Sequence, residues 1–415
     1  MVPNGWNSKP LAQLLEKIID YRGQSVPKSS SGIPLITARN VREGYLDFSN
    51  QEYVDESKFE EWMTRGIPQK GDILFTTEAP LGKACRYPSE GMYAIGQRTV
   101  TLRTNKKLDP EFLLYTILSE RGQLLIDLRS SGSTAKGIKS SELKKVKIAY
   151  PESLSEQRKI AKILSTWDKA ITTTEQLIAA SQQQKKALMQ QLLTGKKRLL
   201  NPETGKVFEG VWEHGFLGNL CVFKGGSAFK ERYQGQTDGD YPFIKVSDMN
   251  LPKNGKFIVQ ANNWLSADVA KEIKAKAFEK GAVVFAKVGA ALLLNRRRIL
   301  VQPTIIDNNM MAAIPNKKCH TEFLYQLMLM IDFAKLVQDG AVPSINQSDL
   351  NRFKITYPML EEQQKIASVL TAADKEIELL ETKLAHLKEE KKALMQQLLT
   401  GKRRVKVEQY MEIAS

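Results

Sequence analysis

Two stretches of the chain carry apolar residues that recur in alternating steps of four and three. This spacing places them on one side of an α-helix and is typical of the seam of a coiled coil. We expect each helix to begin near a Tyr-Pro dipeptide, because proline disfavours helix at the residue before it, and to end at a capping glycine, Gly195 or Gly401. The predicted seam consists of Ile160, Leu164, Trp167, Ile171, Ile178, Leu188 and Leu192 in the first helix and of Ile366, Leu370, Ile377, Leu380, Leu384, Leu387, Leu394 and Leu398 in the second.

The two predicted helices belong to a longer internal repeat. The segment KKALMQQLLTGK occupies 185–196 and recurs unchanged at 391–402. Upstream, SEQRKIAKILSTWDKAI at 155–171 aligns with EEQQKIASVLTAADKEI at 361–377. The globular regions that precede the helices match only in outline. The chain therefore contains one unit twice, a domain of variable content followed by a helix of nearly constant sequence.

The globular regions predict mixed structure. Runs such as IPLITARNV, QRTVTLR and YPFIKVSDM indicate short strands, while DPEFLLYTILSERGQLLIDL indicates a helix. Each long helix has one apolar seam and needs a partner, so we expect the two to pair; an approximate two-fold axis would make them antiparallel, with the domains at opposite ends. Two separate helices, each packed on its own domain, are the alternative.

The predicted fold is α+β: two mixed α/β domains joined by two long helices that form an antiparallel coiled coil, with a pseudo-two-fold internal repeat. The predicted boundaries are 1–150 for the first domain, 151–198 for the first helix, 199–357 for the second domain, 358–404 for the second helix and 405–415 for a tail.

Composition narrows the class of protein. The 415 residues include 61 Lys and Arg against 46 Asp and Glu, a net charge of +15, which favours a polyanionic partner such as nucleic acid. The sequence has no apolar run of about 18 residues and no signal-peptide pattern at its start, so we expect a cytoplasmic protein without a membrane partner. Three widely spaced cysteines predict buried free thiols.

Motifs for catalysis and metal binding are missing from the sequence. It has neither a Walker A pattern nor HExxH, and its three histidines lack neighbours at triad or ligand spacing. Asn201-Pro202 is followed by Glu-Thr instead of the proline and aromatic residue of an adenine methylation loop. The stretch KGGSAF at 224–229 is more typical of a turn than of a phosphate cradle. We therefore predict no catalytic residue and no metal site, and do not expect this chain alone to be an enzyme.

Polar and basic residues recur in the predicted loops of both domains. Three arginines after KVGAALLL are expected to emerge together from a strand-to-loop junction. Arg and Lys suit phosphate or guanine, and Asn suits adenine, although some of these groups would contact phosphate alone. A solvated loop is the alternative for each cluster. The predicted DNA-binding residues are Arg39, Asn40, Thr77, Lys83 and Arg98 in the first domain and Lys245, Lys287, Arg296, Arg297 and Arg298 in the second.

The order of domain, helix ending in LLTGK, second domain and second helix ending in LLTGK resembles the specificity subunits of type I restriction-modification enzymes over essentially the whole chain. The resemblance is carried by the two KKALMQQLLTGK segments, the preceding EQRKIA and EQQKIA, the dipeptide-containing KIAYP and KITYP, and the GDIL element, in which Ala282 replaces Asp72 in the second copy. That departure argues against a functional role for the aspartate.

The resemblance implies a non-catalytic subunit of an adenine methyltransferase and endonuclease complex. Each target-recognition domain would read one half of a bipartite, asymmetric target in double-stranded DNA, and the paired helices would act as a spacer ruler and as the docking site for two methyltransferase subunits. Motor-nuclease subunits would bind through these. S-adenosylmethionine, ATP and Mg are implied for the partner subunits, and no cofactor for this chain.

A surface shared by two copies of one partner would explain why the helices stay alike while the domains differ. The predicted partner-binding residues are Gln190, Gln191, Lys196, Gln396, Gln397 and Lys402. Alternatively, the repeated lysines and glutamines only set the register of the coiled coil. For the whole chain, the alternatives are a coiled-coil structural adaptor without sequence-specific DNA binding, and a fused methyltransferase-nuclease, which the missing motifs disfavour.

Overall fold

The computed structural model describes residues 2–22, 24–133, 136–337 and 342–407, so most of the predicted tail lies outside the described residues. The chain forms two compact units. Unit 1 consists of residues 1–175 and 382–415, and unit 2 of residues 176–381. Each unit therefore contains one domain, the first part of the long helix that follows it and the last part of the other long helix. The compact units thus differ from the predicted succession of separate domains and helices.

Unit 1 has one antiparallel sheet, one mixed sheet and a strand pair. The strands are β1 (Trp6–Pro10), β2 (Leu15–Asp20), β3 (Lys28–Ser29), β4 (Ile33–Ile36), β5 (Glu52–Val54), β6 (Ile73–Thr76), β7 (Ala84–Arg86), β8 (Ala94–Ile95), β9 (Thr99–Thr104) and β10 (Lys147–Pro151). The sheet orders are β2-β9-β6-β7, β3-β5-β4-β8 and β1-β10. The helices are α1 (Phe59–Trp62), α2 (Pro110–Leu118), α3 (Glu120–Asp127), α4 (Ser140–Leu143) and the first part of α5 (Leu154–Leu192).

The sheet β2-β9-β6-β7 is the central sheet of unit 1 and packs against a hydrophobic core on each face. Because side chains alternate along a strand, Ile73 and Phe75 of β6 pack into the core that includes α2, whereas Leu74 packs towards the sheet β3-β5-β4-β8. Helix α2 begins as its sequence predicts, since the Asp109 carboxylate accepts a hydrogen bond from the Phe112 amide and Pro110 occupies the first turn.

Unit 2 repeats this plan with changed strands. Its strands are β11 (Glu213–Phe216), β12 (Cys221–Gly225), β13 (Tyr241–Ile244), β14 (Phe257–Ile258), β15 (Asn263–Leu265), β16 (Val283–Ala286), β17 (Arg297–Leu300), β18 (Ile305–Ile306), β19 (Met310–Pro315) and β20 (Lys354–Tyr357). The sheet orders are β12-β19-β16-β17-β14, β15-β13-β18 and β11-β20. The helices are α6 (Ala267–Glu272), α7 (Ala290–Leu293), α8 (Thr321–Leu329), α9 (Gln347–Asn351) and the first part of α10 (Leu360–Leu398).

The long helices α5 and α10 each contain 39 residues. They begin slightly after the Tyr-Pro dipeptides and end before the predicted boundaries at 198 and 404. Gly195 and Gly401 have φ values of 71° and 70°, the left-handed conformation that suits a capping glycine. The predicted caps are therefore confirmed, while the predicted helix ranges were too wide.

Within each unit the two helix segments pack in an antiparallel sense. In unit 1, Asp168 pairs with Lys391 and Glu175 with Lys388. Residue numbers therefore increase along α5 while those of the paired residues in α10 decrease. In unit 2, Lys185 pairs with Asp374 at 2.5 Å. The alternative of two helices packed separately is wrong within each unit, because each core contains side chains of both helices.

Burial along the two long helices follows the spacing of the predicted seam. All its residues are buried or half-buried, whereas Leu177 and Leu379, which lie off the seam, are 48% and 71% exposed.

The three cysteines are buried free thiols, as expected. Burial raises the pKa of Cys85 and that of Cys319 to about 12, which keeps both thiols protonated at neutral pH. Within the described ranges, no helix combines the length and apolar character needed to cross a membrane.

Candidate nucleic-acid and partner interfaces

Three strand ends meet at one end of the central sheet of unit 1. Strand register places the end of β2, the end of β6 and the start of β9 side by side. The Thr77 amide donates a hydrogen bond to the Arg98 carbonyl at 3.0 Å, and the Ile138 amide donates to the Thr77 carbonyl at 2.9 Å. Arg22 follows β2 and donates to the Ile138 carbonyl at 2.8 Å. We call the exposed or half-buried residues at these strand ends, Arg22, Glu78, Gln97, Arg98 and Lys136, the sheet-end surface of unit 1.

The corresponding strand ends of unit 2 form a second such surface. The ends of β12 and β16 lie beside the start of β19. The Lys287 amide donates to the Asn309 carbonyl at 2.9 Å, and the Ser227 amide donates to the Ile306 carbonyl at 2.9 Å. We call Lys224–Ser227, Lys287 and Asp307–Asn309 the sheet-end surface of unit 2. The predicted residue Lys245 lies beside it, because the Asp307 amide donates to the carbonyl of Ile244.

The structure thus brings some predicted DNA-binding residues together and separates others. Arg98 lies on the surface of unit 1, and Lys245 and Lys287 lie at that of unit 2. Lys83 forms an ion pair with Glu43, which lies in the turn region after β4. Arg39 is exposed in that turn.

The structure corrects the prediction for Asn40 and Thr77. Both are 1% exposed. The Asn40 side chain accepts from the Thr37 amide at 2.9 Å and donates to the Asp47 carbonyl at 2.9 Å, so it closes a turn. The Thr77 hydroxyl donates to the Arg98 carbonyl at 3.2 Å. Neither has a free polar group to offer a base, because buried polar side chains use their hydrogen-bonding groups inside the fold.

The arginine triplet does not emerge as one cluster, and this prediction was wrong. Arg297 and Arg298 lie in strand β17, and only Arg296 precedes it, at the end of a turn. Arg296 is exposed and donates to the Asn250 side chain. Arg298 is half-buried and donates to the Asn254 carbonyl at 2.8 Å.

Arg297 is a core residue, 1% exposed. Its guanidinium lies 3.7 Å from the ring centre of Phe333 and donates to the Ile331 carbonyl. Burial lowers the pKa of Arg297 to about 10, while nearby Asp332 opposes the shift, so the group still carries its charge at neutral pH. It cannot contact DNA without unfolding the segment around it.

Sequence reasoning missed the role of the Glu-Gln dipeptide at the start of each long helix. Gln157 accepts from the Asp109 amide at 2.7 Å and donates to the carbonyls of Lys107 and Pro151 at 3.0 and 2.8 Å. Gln363 repeats these bonds in unit 2 with His320, Lys318 and Pro358, at 2.9–3.0 Å. The recurrence of the dipeptide at the same offset was the available signal. Each glutamine holds the start of its helix against the loop before α2 or α8.

The glutamate of the dipeptide is buried and forms an ion pair with an arginine of the segment after LLTGK. Glu156 binds Arg404 through two bonds of 2.6 and 2.7 Å, and Glu362 binds Arg198 with the same two distances. Glu362 also accepts from the Trp212 indole at 3.2 Å. The segment that follows each LLTGK sequence is therefore anchored to the start of the other long helix. We call each Glu-Arg pair a helix clamp.

The repeated lysines Lys185 and Lys391 pair with Asp374 and Asp168 and are 16% and 20% exposed. For these two residues the structure favours the register interpretation. The predicted partner-binding residues Gln190, Gln191, Lys196, Gln396, Gln397 and Lys402 are exposed, and Gln396 donates to Glu120 at 2.8 Å. Their part in partner binding stays a prediction.

A cleft accompanies the LLTGK end of each long helix. In unit 1, a cleft of about 670 Å³ lies between α3, β10 and the end of α10. In unit 2, a cleft of about 580 Å³ lies between α8, β20 and the end of α5. The first has a basic rim that includes Lys392 and Lys402, whereas the second has Lys354 beside apolar residues such as Phe216 and Met330. Across residues 2–22, 24–133, 136–337 and 342–407, no group of three or more His, Cys, Asp or Glu could hold a metal ion.

Comparison with known proteins agrees with this architecture. The family described as the type I restriction modification DNA specificity domain matches residues 3–181 and 209–389. The putative type I restriction enzyme MjaX specificity subunit of Methanocaldococcus jannaschii is 29% identical over 423 residues, which covers 98% of this chain and 95% of the relative. The MjaIX specificity subunit of the same organism is 24% identical, with coverage of 97% and 95%.

Two solved structures share the fold. The S subunit of a type I restriction-modification system from M. genitalium has a TM-score of 0.58 at 15% identity and covers 96% of this chain and 97% of its own. A chain from a study of complex assembly and conformational transition of the type I R-M system has a TM-score of 0.58 at 17% identity, with coverage of 97% and 100%. Since the family match includes both repeats and most of the sequence, the chain belongs to the family of type I restriction-modification DNA specificity subunits.

Proposed function

We propose that each unit of this DNA specificity subunit reads one half of a bipartite, asymmetric DNA target through its sheet-end surface. The observation that carries this proposal is the contrast between repeated and changed residues. The clamps and the glutamine bonds recur residue for residue in both units. The sheet-end surfaces instead present different side chains, Glu78 and Arg98 in one and Lys287 and Asn309 in the other.

This contrast fits two readers of different sequences on one scaffold. Hydrogen-bonding side chains at a surface distinguish base pairs by their donor and acceptor pattern, so a change of these side chains changes the sequence that is read. The excess of basic residues supports binding to the DNA backbone. The chain itself is a non-catalytic component of the restriction-modification complex.

The exposed faces of the long helices are the proposed docking surface for two methyltransferase subunits. Gln190, Gln191 and Lys196 are exposed in α5 and its cap, and Gln396, Gln397 and Lys402 repeat them in α10 and its cap. Identical residues on both copies support binding of one partner species twice. Motor-nuclease subunits would join through the methyltransferases, and S-adenosylmethionine, ATP and Mg would be bound in those partners. The complex would act in the cytoplasm, where bacterial and archaeal DNA is accessible.

We further propose that the long helices set the length of the untouched DNA spacer. A helix of 39 residues extends roughly 60 Å at 1.5 Å per residue. Two turns of B-DNA are slightly longer, at roughly 34–36 Å each. The helix length therefore suits a target whose halves lie in successive major grooves.

The central test is a methylation map. The chain is co-expressed with a candidate adenine methyltransferase subunit from the same genome, in a host without adenine methylation, and N6-methyladenine is located across the genome. We expect one split, asymmetric motif that disappears when this chain is omitted. A stable complex without methylation would instead support a structural adaptor.

Two substitutions assign the surfaces to half-sites. Arg98→Gln changes the surface of unit 1 and Lys287→Gln that of unit 2. We expect each variant to lower or relax methylation at one half of the motif only, because each surface reads one half. Equal relaxation of both halves by either variant would contradict the assignment.

A further inference from the structure

The basic residues of the sheet-end surface of unit 1 are neutralised inside the unit. Arg22 pairs with Asp20 at 2.7 Å, Arg98 with Glu78 at 3.0 Å, and Lys136 with Asp127 at 2.6 Å. Burial of Asp20 acts to raise its pKa, but hydrogen bonds from Arg22 and Ser140 outweigh it, and the net shift is downward. The carboxylate is therefore charged at neutral pH, and its pair with Arg22 has no net charge.

Unit 2 presents lysines without such partners. Lys224, Lys274 and Lys276 line a cleft of about 380 Å³ together with Ser227 and Phe278. We call these three lysines the lysine cleft. None of them forms an ion pair within residues 2–22, 24–133, 136–337 and 342–407, although the exposed Glu279 also lines the cleft. Lys287 lies close by, since its Nζ is 3.2 Å from the position that a Cβ on Gly225 would occupy.

Local structure explains why the lysines face solvent together. Along β12, Phe223 is buried and Lys224 is exposed, because side chains alternate on a strand. At Gly226 a Cβ would lie 2.1 Å from the Asp307 carbonyl oxygen, so only glycine lets the chain pass there. Phe278 exchanges two backbone hydrogen bonds of 2.8 and 2.9 Å with Thr304, which fixes the segment that carries Lys274 and Lys276.

The glycine turn itself does not hold an anion. The amides of Gly226 and Ser227 donate to the carbonyls of Met310 and Ile306 at 3.2 and 2.9 Å. A phosphate at this place would be held by the ammonium groups of the lysines. The sequence-based interpretation of KGGSAF as a turn agrees with these bonds.

We propose that the lysine cleft binds phosphates of the DNA backbone, and that unit 2 supplies more of the sequence-independent affinity for DNA than unit 1 does. This inference rests on the proposed reading of DNA by both units. An unpaired lysine releases condensed counterions when it contacts a phosphate, and this release drives non-specific binding. A paired arginine or lysine attracts a phosphate less, because its carboxylate partner repels the same phosphate and must be displaced.

The test compares two charge-matched triple variants of the full chain in its complex with the methyltransferase. The first carries Lys224→Gln, Lys274→Gln and Lys276→Gln. The second carries Lys83→Gln, Arg98→Gln and Lys136→Gln, which removes three paired cations of unit 1. The dissociation constant for a duplex of scrambled sequence and for a duplex with the mapped target is measured between about 50 and 200 mM salt.

On scrambled DNA we expect the first triple variant to reduce the magnitude of the slope of log Kd against log salt. The reduction should be about 1 for each lysine that contacts a phosphate, hence about 3. The second should lower the magnitude by less than about 1. Affinity for the mapped target should fall by the same factor as affinity for scrambled DNA in the first variant, because phosphate contacts carry no sequence information. An unchanged circular dichroism spectrum and an unchanged melting temperature of the first triple variant verify that it is folded.

Equal slope changes in the two variants, or an unchanged slope in the first, would overturn this inference. Failure of the proposed function has a different signature, since the unmodified complex would then bind target and scrambled duplexes alike. The two failures are therefore distinguishable in one experiment.

Discussion

At the scale of single residues, burial separates side chains that look equivalent in the sequence. Arg296, Arg297 and Arg298 follow one another, yet only Arg296 is exposed. Strand β17 begins at Arg297, and residue alternation directs its side chain into the core beside Phe333. The run of three arginines therefore contains one surface residue, one half-buried residue and one core residue.

Replacement of Arg297 by alanine should destabilise unit 2. The change removes a large buried side chain and leaves the Ile331 carbonyl without its donor, so we expect a loss of about 3 kcal/mol in the free energy of unfolding. Denaturant unfolding of the full chain measures this loss. Arg296→Ala is the matched control and should change stability by less than about 0.5 kcal/mol. Similar losses in the two variants would refute the different placement of these arginines.

At the scale of elements, each long helix is held at its start by the Glu-Gln dipeptide and at its end by the clamp. Glu362 is fully buried and Glu156 nearly so, which makes each clamp depend on its arginine. Between these fixed ends, the seam and the ion pairs of Lys185 with Asp374 and of Lys391 with Asp168 set how the helix segments pair. The number of heptads is therefore free to vary without disturbing the ends.

Deletion of one heptad from both helices tests the ruler. Removal of residues 176–182 from α5 and of residues 382–388 from α10 keeps the seam in phase and shortens each helix by roughly 10 Å. We expect the spacer of the methylated motif to shorten by about three base pairs, at roughly 3.4 Å each, or methylation to be lost. Deletion from α5 alone should destabilise the protein, because it mismatches the two seams. A motif with an unchanged spacer would exclude the ruler.

At the scale of the molecule, neither unit is built from one repeat. Unit 1 takes the end of α10 into its core, including Leu398 and Leu399, and binds Arg404 to Glu156. Unit 2 takes the end of α5, including Leu192, and binds Arg198 to Glu362. A chain cut between the repeats therefore lacks a part of each unit.

A fragment of residues 1–204 should form a homodimer. It lacks the end of α10, but it carries the identical KKALMQQLLTGK at 185–196, together with Arg198 in place of Arg404. A second copy can thus supply Lys185 to Asp168 and Arg198 to Glu156. Sedimentation equilibrium measures the mass, and Glu156→Ala should weaken the dimer because it removes the clamp. A folded monomer would contradict this account.

Much of the architecture could be predicted from local patterns. The seam from Ile160 to Leu192 and the cap at Gly195 are visible in the sequence because helix periodicity and left-handed capping depend on neighbouring residues. The start of helix α2 was equally visible, since Asp109 and Pro110 mark a helix start. The sheet-end surfaces were found only in part. Arg98, Lys245 and Lys287 lie at or beside them, and their contacts with DNA stay predictions, whereas Asn40, Thr77 and Arg297 are buried.

The sequence by itself thus determined the two repeats, the long helices with their seams and capping glycines, and the membership in a family of DNA specificity subunits. Only the tertiary structure decided which polar side chains reach the surface, which carboxylates neutralise the arginines of unit 1, and where one compact unit ends and the other begins. The physical reason is that helix spacing and turns are set by contacts a few residues apart. Exposure, ion pairing and core membership instead depend on strands and helix ends that lie far apart in the chain, such as Glu156 and Arg404.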